Sequence, residues 1–440
     1  MENIEYSGHW WLPSEPEQTI AGTLTFTNAE GIKLRLIGSF LMLKKTLNVP
    51  IILGIVNQKI ITLCGCYSSI SIPGFSSEEY WAELALIGRH FSNPDELLFN
   101  KARVQYSYLS DWADLPAIKR EPDFIDWNKD KELKFTYTRP EDIEANTTYG
   151  KFSVVYGCSE AGKFESIDFK QFASLIIQPN EELSFKDFYS KFIHPLNNFL
   201  TFATDRKNSI TELEFYSRHG DIGIVDNRHI LDEIPIKAIY KNYYPDRDKS
   251  DRLLLQNEMF SEMLFSLADI KSDFSSTMKR WFDSLEKLDS IFNLFFSIRY
   301  KPDMYLDNKF INLVQAVESY HRRRIQKDKK KQTLQERLEG LLELIPEVTN
   351  QLINDKESFS TKIVRTRNDF IHDNEIKNEK SAKPEELPWL TELLSFILQA
   401  CFLTELGFTP ERCHQLLNKN KRYQEVVAKA RHQKNNKAEN

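Results

Sequence analysis

The residues best equipped for chemistry lie in one short run, Arg367-Asn368-Asp369-Phe370-Ile371-His372. Arginine offers a fixed, permanently charged fork of donors that matches phosphate oxygens, and lysine is a poorer substitute. Histidine, with an unperturbed pKa of about 6.5, can take or give a proton near neutrality. Together these groups suit the cleavage of RNA, which carries its own nucleophile in the 2′-OH. A base removes that proton, a cation stabilises the crowded phosphorane, and neither a metal nor a cofactor is required. In such chemistry His372 would move a proton at the 2′-OH or the leaving oxygen, and Arg367 would hold the scissile phosphate. Asn368 would orient the imidazole or a phosphate oxygen. Arg365 also precedes His372 at short range, and spacing leaves open which arginine touches the phosphate.

The element that must carry these groups spans Ser358 to Asn374. Phe359, Ile363, Val364, Phe370 and Ile371 recur there at offsets of three, four and seven with no Gly or Pro between them, which predicts an amphipathic helix. At about 100° per residue, Asn368 and His372 fall roughly 40° apart, whereas Arg367 and His372 are separated by roughly 140°. One helix cannot easily bring arginine and histidine to a single atom. Two copies facing each other across a two-fold axis can.

An arginine, a polar residue and a histidine after a short gap, on a helix in an all-helical segment, resemble the signature of HEPN ribonucleases. The upstream segment Phe310–Arg323 and the later Trp389–Phe408 resemble the flanking helices of the ApeA-like branch, anti-phage defence proteins with a β-rich N-terminal domain and a C-terminal HEPN domain. The resemblance covers most of the chain in layout and the C-terminal third in motif. It implies an α+β protein with an antiparallel β-sandwich-like domain in front and an all-α HEPN bundle behind. It further implies a homodimer or higher even oligomer whose motif helices line one cleft, an economical arrangement because one surface supplies both sets of residues. The implied reaction leaves a 2′,3′-cyclic phosphate and a 5′-OH, on tRNA or another structured RNA, in abortive anti-phage defence. The front domain would sense a phage-derived trigger and restrain the rear one.

The rest of the chain fits that layout. From residue 1 to about 180 the periodicity is mainly two: Leu24 and Phe26 alternate with threonines, and Ile32, Leu34 and Leu36 with Lys33 and Arg35. Short alternating runs of this kind predict an antiparallel sandwich or barrel, with inner strands at Ile51–Val56 and Ser174–Gln178. A helix capped by Ser184 and kinked at Pro195 follows, then a further strand pair from Thr211. Helices are expected at 253–268, 274–299, 307–325, 333–354 (split by Pro346), 357–373, 386–406 and 410–431. The domains are thus a β-rich sensor or regulatory domain at 1–225, a junction at 226–252, and a helical domain at 253–440 with a basic C-terminal tail, which should fray beyond Arg431.

Net charge is −6 but unevenly spread. His321–Lys331 carries seven Lys and Arg against one Asp, and Asn418–Asn440 carries seven against two Glu. Basic patches on an acidic body can hold a polyanion, since phosphate neutralisation supplies sequence-independent affinity. Arg322, Arg323 and Arg324 in the first run, with Arg365, are the candidates for binding the RNA backbone. His321 ends its helix, where a cation is favourable, and Glu318 would either face solvent or orient a basic residue of the site.

Other motifs offer less. Gly157-CSEA-Gly162-Lys163-Phe164 nearly spells a phosphate-binding loop, but Phe164 stands where Ser or Thr would hold Mg²⁺ and a strand-like stretch follows, so a hairpin is expected. Cys64 and Cys66 lack a second pair at zinc-binding spacing, and five cysteines without a framework suit a reducing compartment. The most apolar stretch, 389–408, is broken by Thr391, Glu392, Ser395, Gln399 and Glu405 and reads as a buried helix rather than a membrane span. A cytoplasmic protein with no membrane partner is expected. The rival reading is a non-catalytic RNA- or protein-binding module whose helical domain serves only for dimerisation.

Overall fold

The alternation seen in the first part of the chain becomes sheet. A computed structural model describes residues 3–40, 48–68, 77–114, 117–122, 132–163, 165–222, 234–241, 263–326, 332–372 and 379–438, with side chains to His432. The chain divides into two compact units: Met1–Ser110, Leu115–Asn197 and Asn208–Asp248 form one, and Asp111–Asp114, Asn198–Lys207 and Lys249–Asn440 the other.

The first unit contains a 13-stranded antiparallel sheet. Its opening strands are β1 (Ile4–Trp11), β2 (Ile20–Thr27), β3 (Gly31–Leu36), β4 (Asn48–Val56), β5 (Lys59–Ser68), β6 (Glu79–Ala82) and β7 (Leu84–Ile87). Because β6 pairs with both β3 and β5, the order β5-β4-β1-β2-β3-β6 returns on itself and makes this part barrel-like. Trp10, Leu24, Phe26, Ile32, Leu34, Leu36, Ile52, Leu63 and Tyr80 fill its interior. Lys33 and Arg35, on the opposite face of β3, both pair with Glu79, at 2.8 and 2.7 Å. Gly65 lets β5 turn from its partner β7 to its partner β6: its φ of +62° favours glycine, and an added Cβ would lie 2.9 Å from the Glu83 carboxylate. The flanking Cys64 and Cys66 are both buried, and burial pushes the Cys64 thiol up to about 12, as suits a packing residue.

The sheet continues through β8 (Lys101–Tyr106), β9 (Ile143–Thr147), β10 (Gly150–Lys163), β11 (Ser166–Pro179), β12 (Ile210–Tyr216) and β13 (Ile236–Tyr240), in the order β7-β13-β12-β8-β11-β10-β9. Gly157–Lys163 lies within β10 and pairs with β11 from Phe172 to Ser166. The glycine-rich segment is therefore a hairpin arm with no helix after it; Phe164 lies outside the described residues. After β11, the Asp187 amide donates to Ser184 Oγ at 3.2 Å, the expected cap. A wide π turn, Tyr189–Ile193, leads into α1 (His194–Thr204), next to the place where Pro195 lacks an N–H for the turn before it.

The second unit is helical: α2 (Phe274–Tyr300), α3 (Leu306–Arg324), α4 (Leu334–Leu342), α5 (Pro346–Leu352), α6 (Lys356–His372), α7 (Leu387–Glu405), α8 (Pro410–Lys419) and α9 (Lys421–Ala438). Pro346 occupies the first turn of α5, where its missing N–H costs nothing, and so divides α4 from α5. The single helix expected over 410–431 is two. Asn420 leaves the helical conformation, and its Oδ1 accepts the Tyr423 amide at 3.0 Å, capping α9. The tail expected to fray beyond Arg431 is helical to Ala438.

The central α7 is long and apolar enough to cross a membrane by length and composition, but 67% of that stretch is buried inside the protein. Its Phe402 meets Phe202, Phe292, Phe295 and Tyr320. Residues 198–207 contribute to this core. Phe199 packs on Phe265 and Trp281, and the Asp205 carboxylate pairs with Arg299 at 2.8 Å. The expected junction at 226–252 and the expected helix at 253–268 lie largely outside the described residues.

Candidate active site

α6 is held in the helical unit by part of the stripe that its sequence predicts; Ile371, expected on that stripe, is exposed. Phe359, Ser360, Ile363 and Thr366 are buried, and the Phe370 ring meets that of Phe310 on α3 with centroids 6.0 Å apart. The helix also packs against α4. It starts where Asp355 Oδ1 accepts the Ser358 amide at 2.9 Å, and His372 is its last described residue.

Each candidate residue has its place around this helix. Arg367 lies about 40° from Ile363, on the flank of the buried stripe, and is half-buried. His372 lies about 180° from Ile363 and is exposed. Asn368 is half-buried, and Arg365, two turns before His372 and about 20° from it, is exposed. Arg367 and Asn368 are brought together: Arg367 Nη1 donates to Asn368 Oδ1 at 3.1 Å. Asn368 thus steadies the guanidinium. Among the described residues no contact joins His372 to either.

The charges around the site separate two kinds of arginine. Arg322 and Arg337 both pair with Glu318, Arg322 at 2.8 Å, and Arg324 grips Glu405 through both arms of its fork at 2.7 Å. Arg323 donates to the Lys287 carbonyl at 2.8 Å. Of the four arginines expected to hold RNA, the three of this run are exposed but spend donors on the protein itself; Lys327–Lys331 of the same run lies outside the described residues. Glu318 therefore neither faces solvent alone nor reaches the motif helix; it clamps α3 to α4 through Arg337. Arg365 and Arg367 have no carboxylate partner among the described residues.

His321 departs from its expected role. It is 2% exposed, and a Cβ on Gly340 would lie 2.8 Å from its Nε2. Burial, with the Arg337 charge beside it, pushes its pKa below the usual value, so the ring is neutral rather than a helix-terminal cation. The reason is tertiary: α4 covers the end of α3.

The structure also adds polar partners that spacing does not reveal. Ser381, Ala382 and Glu386, beyond the end of α6, bond back to Asp369, Thr366 and Lys362. They carry no sequence signal, because a loop serine and a surface aspartate are commonplace until the fold makes them neighbours.

Two family models match the chain. Apea-like HEPN covers residues 311–412, so α6 with Arg367 and His372 lies inside a HEPN domain. ApeA N-terminal domain 1 covers residues 5–281, more than half of the chain. The chain belongs to the ApeA family, with a β-rich N-terminal region and a C-terminal HEPN domain. At the level of the family this brings ribonuclease-type function and anti-phage defence. No curated protein and no solved structure matches the chain.

Proposed function

We propose that the protein is a metal-independent endoribonuclease of abortive anti-phage defence, acting in the cytoplasm on tRNA or another structured RNA. The observation that carries this is an arginine without a carboxylate partner among the described residues and an exposed histidine, on one helix inside the matched HEPN segment. Arg367 binds the scissile phosphate, His372 moves the proton at the 2′-OH or the leaving oxygen, and Asn368 holds the guanidinium. The products are a 2′,3′-cyclic phosphate and a 5′-OH end. Arg367 and His372 project roughly 140° apart from one helix, so a complete site takes arginine from one copy and histidine from another in a homodimer or higher even oligomer. Ile371, beside His372, is an apolar side chain left 46% exposed, as a surface meeting a second copy would require. Arg365 shares the His372 face and is placed to hold the RNA backbone. Arg322, Arg323 and Arg324 add positive potential and the donors that their bonds to the protein leave free. The N-terminal domain, in this reading, receives a phage-derived trigger and restrains the nuclease until then.

Total cellular RNA after induction of wild type, Arg367→Ala and His372→Ala tests the reading. Degradation by wild type alone, with the variants still folded and in the same oligomeric state, is the expected result. His372 is exposed, so its removal should alter stability by no more than about 0.5 kcal/mol. Equal effects of all three on cellular RNA would leave the non-catalytic module as the function.

A further inference from the structure

His372 stands at a mechanically weak place. It is the last described residue of α6, and both it and Ile371 are exposed, so little burial holds this turn. An imidazole that transfers a proton has to be held within a fraction of an ångström, so something outside the helix must steady that turn.

The segment 379–386 meets this need. It runs back along α6 and is fastened at successive turns. Lys362 Nζ donates to Glu386 Oε1 at 2.6 Å, the Ala382 amide donates to Thr366 Oγ1 at 2.8 Å, and Ser381 Oγ donates to Asp369 Oδ2 at 2.5 Å. Positions 362, 366 and 369 form one stripe, and their partners follow in reverse order, as an antiparallel strap requires. Two of the three rungs are themselves held. Thr366 Oγ1 donates onward to the Lys362 carbonyl at 2.8 Å, and Glu386 Oε2 accepts the Lys383 amide at 2.8 Å. The stripe lies about 60–120° around the helix from His372, Asp369 being its nearest member, so the strap supports this turn without covering the imidazole. The rung nearest His372, like the one from Lys362 to Glu386, has a carboxylate acceptor, the stronger kind of hydrogen bond.

We infer that Asp369 and Ser381 are positioning residues for His372, closing the last described turn of α6 so that the imidazole is presented in one geometry. The inference rests on the ribonuclease reading for its functional part and on the strap geometry alone for its structural part. Two measurements on the full-length chain separate them. Hydrogen exchange of the amides of residues 368–372 should quicken about tenfold in Ser381→Ala and in Asp369→Asn, with the protein's melting temperature unchanged, and return to the wild-type rate in Ser381→Thr. The single-turnover rate constant for loss of tRNA from total RNA, at saturating protein, should fall about tenfold in the same two variants. The protein concentration giving half-maximal rate should not change, and Ser381→Thr should recover the rate. Unchanged exchange overturns the strap as a support of this turn. Quickened exchange with an unchanged rate constant overturns its role in positioning His372. A wild-type chain that cleaves no RNA removes the nuclease reading, while the exchange result still decides whether the strap holds the helix.

Discussion

Replacing Asp205 by asparagine tests whether the helical unit depends on a buried charge supplied from far upstream. Asp205 and Arg299 pair at 2.8 Å with side chains only 8% and 15% exposed. Asparagine has the same shape, tolerates the positive φ of 52° found there, and keeps an Oδ1 to accept the Gln399 amide that Asp205 Oδ1 accepts at 2.7 Å, so the main loss is the charge. Burial pushes the Arg299 guanidinium below its usual range while Asp205 opposes that shift, and arginine cannot shed its proton to escape. Breaking such a pair from one side costs about 3–5 kcal/mol. Arg299 keeps a hydrogen bond to Ser395 at 3.2 Å and lies 5.2 Å from the Phe295 ring centre, which places the expected loss near the lower end, about 3 kcal/mol. For a unit of this size that lowers Tm by about 6–12 °C. The readout should be specific to the helical unit, such as hydrogen exchange of α7 amides alongside the thermal scan. Lys279→Gln is the control, because its pair with Asp283 is exposed and worth only about 0.3–0.5 kcal/mol. A loss below about 1 kcal/mol for Asp205→Asn, indistinguishable from that control, would refute the reasoning. A fragment beginning at residue 251 also lacks Phe199, Phe202 and Asp205, so its inactivity would report a missing core rather than the loss of a regulatory domain.

Two further outcomes follow from single side chains. The His321 pKa is depressed in the folded state, so on acidification the unfolded chain binds the proton first, near its ordinary value of about 6.5. The stability this residue contributes is present above that pH and lost as pH falls. Urea unfolding at several values between about pH 5 and 7 should show a shallower dependence in His321→Leu than in wild type, and parallel curves would count against a neutral buried ring. Asn420→Ala removes the α9 cap and should cost about 1 kcal/mol by chemical unfolding; a neutral change would mean that Asn420 Oδ1 does not satisfy the Tyr423 amide.

Much of the fold is written in local periodicity. Leu24 and Phe26, or Ile32, Leu34 and Leu36, alternate because each strand of the barrel has one dry face, and Phe359, Ile363 and Phe370 recur at helical spacing because α6 has one buried stripe. Cap chemistry is equally local, as at Ser184 and Pro346; the glycines at 157 and 162, which suggest a turn, lie instead in a paired strand arm. The angular relation of Arg367, Asn368 and His372 also follows from helix geometry alone. What periodicity cannot register is a residue whose role depends on a distant partner. Asn420 sits in helical spacing and interrupts the helix all the same, since its side chain competes for the Tyr423 amide. His321 became a neutral core residue because α4 covers it, and the strap on α6 exists because Asp369 and Ser381 meet only after the chain has turned back. The order of residues set the faces of each helix and strand, which is a short-range matter of sterics and burial. Which polar groups lost water, and which found a partner when they did, was decided only when elements far apart in sequence closed on one another.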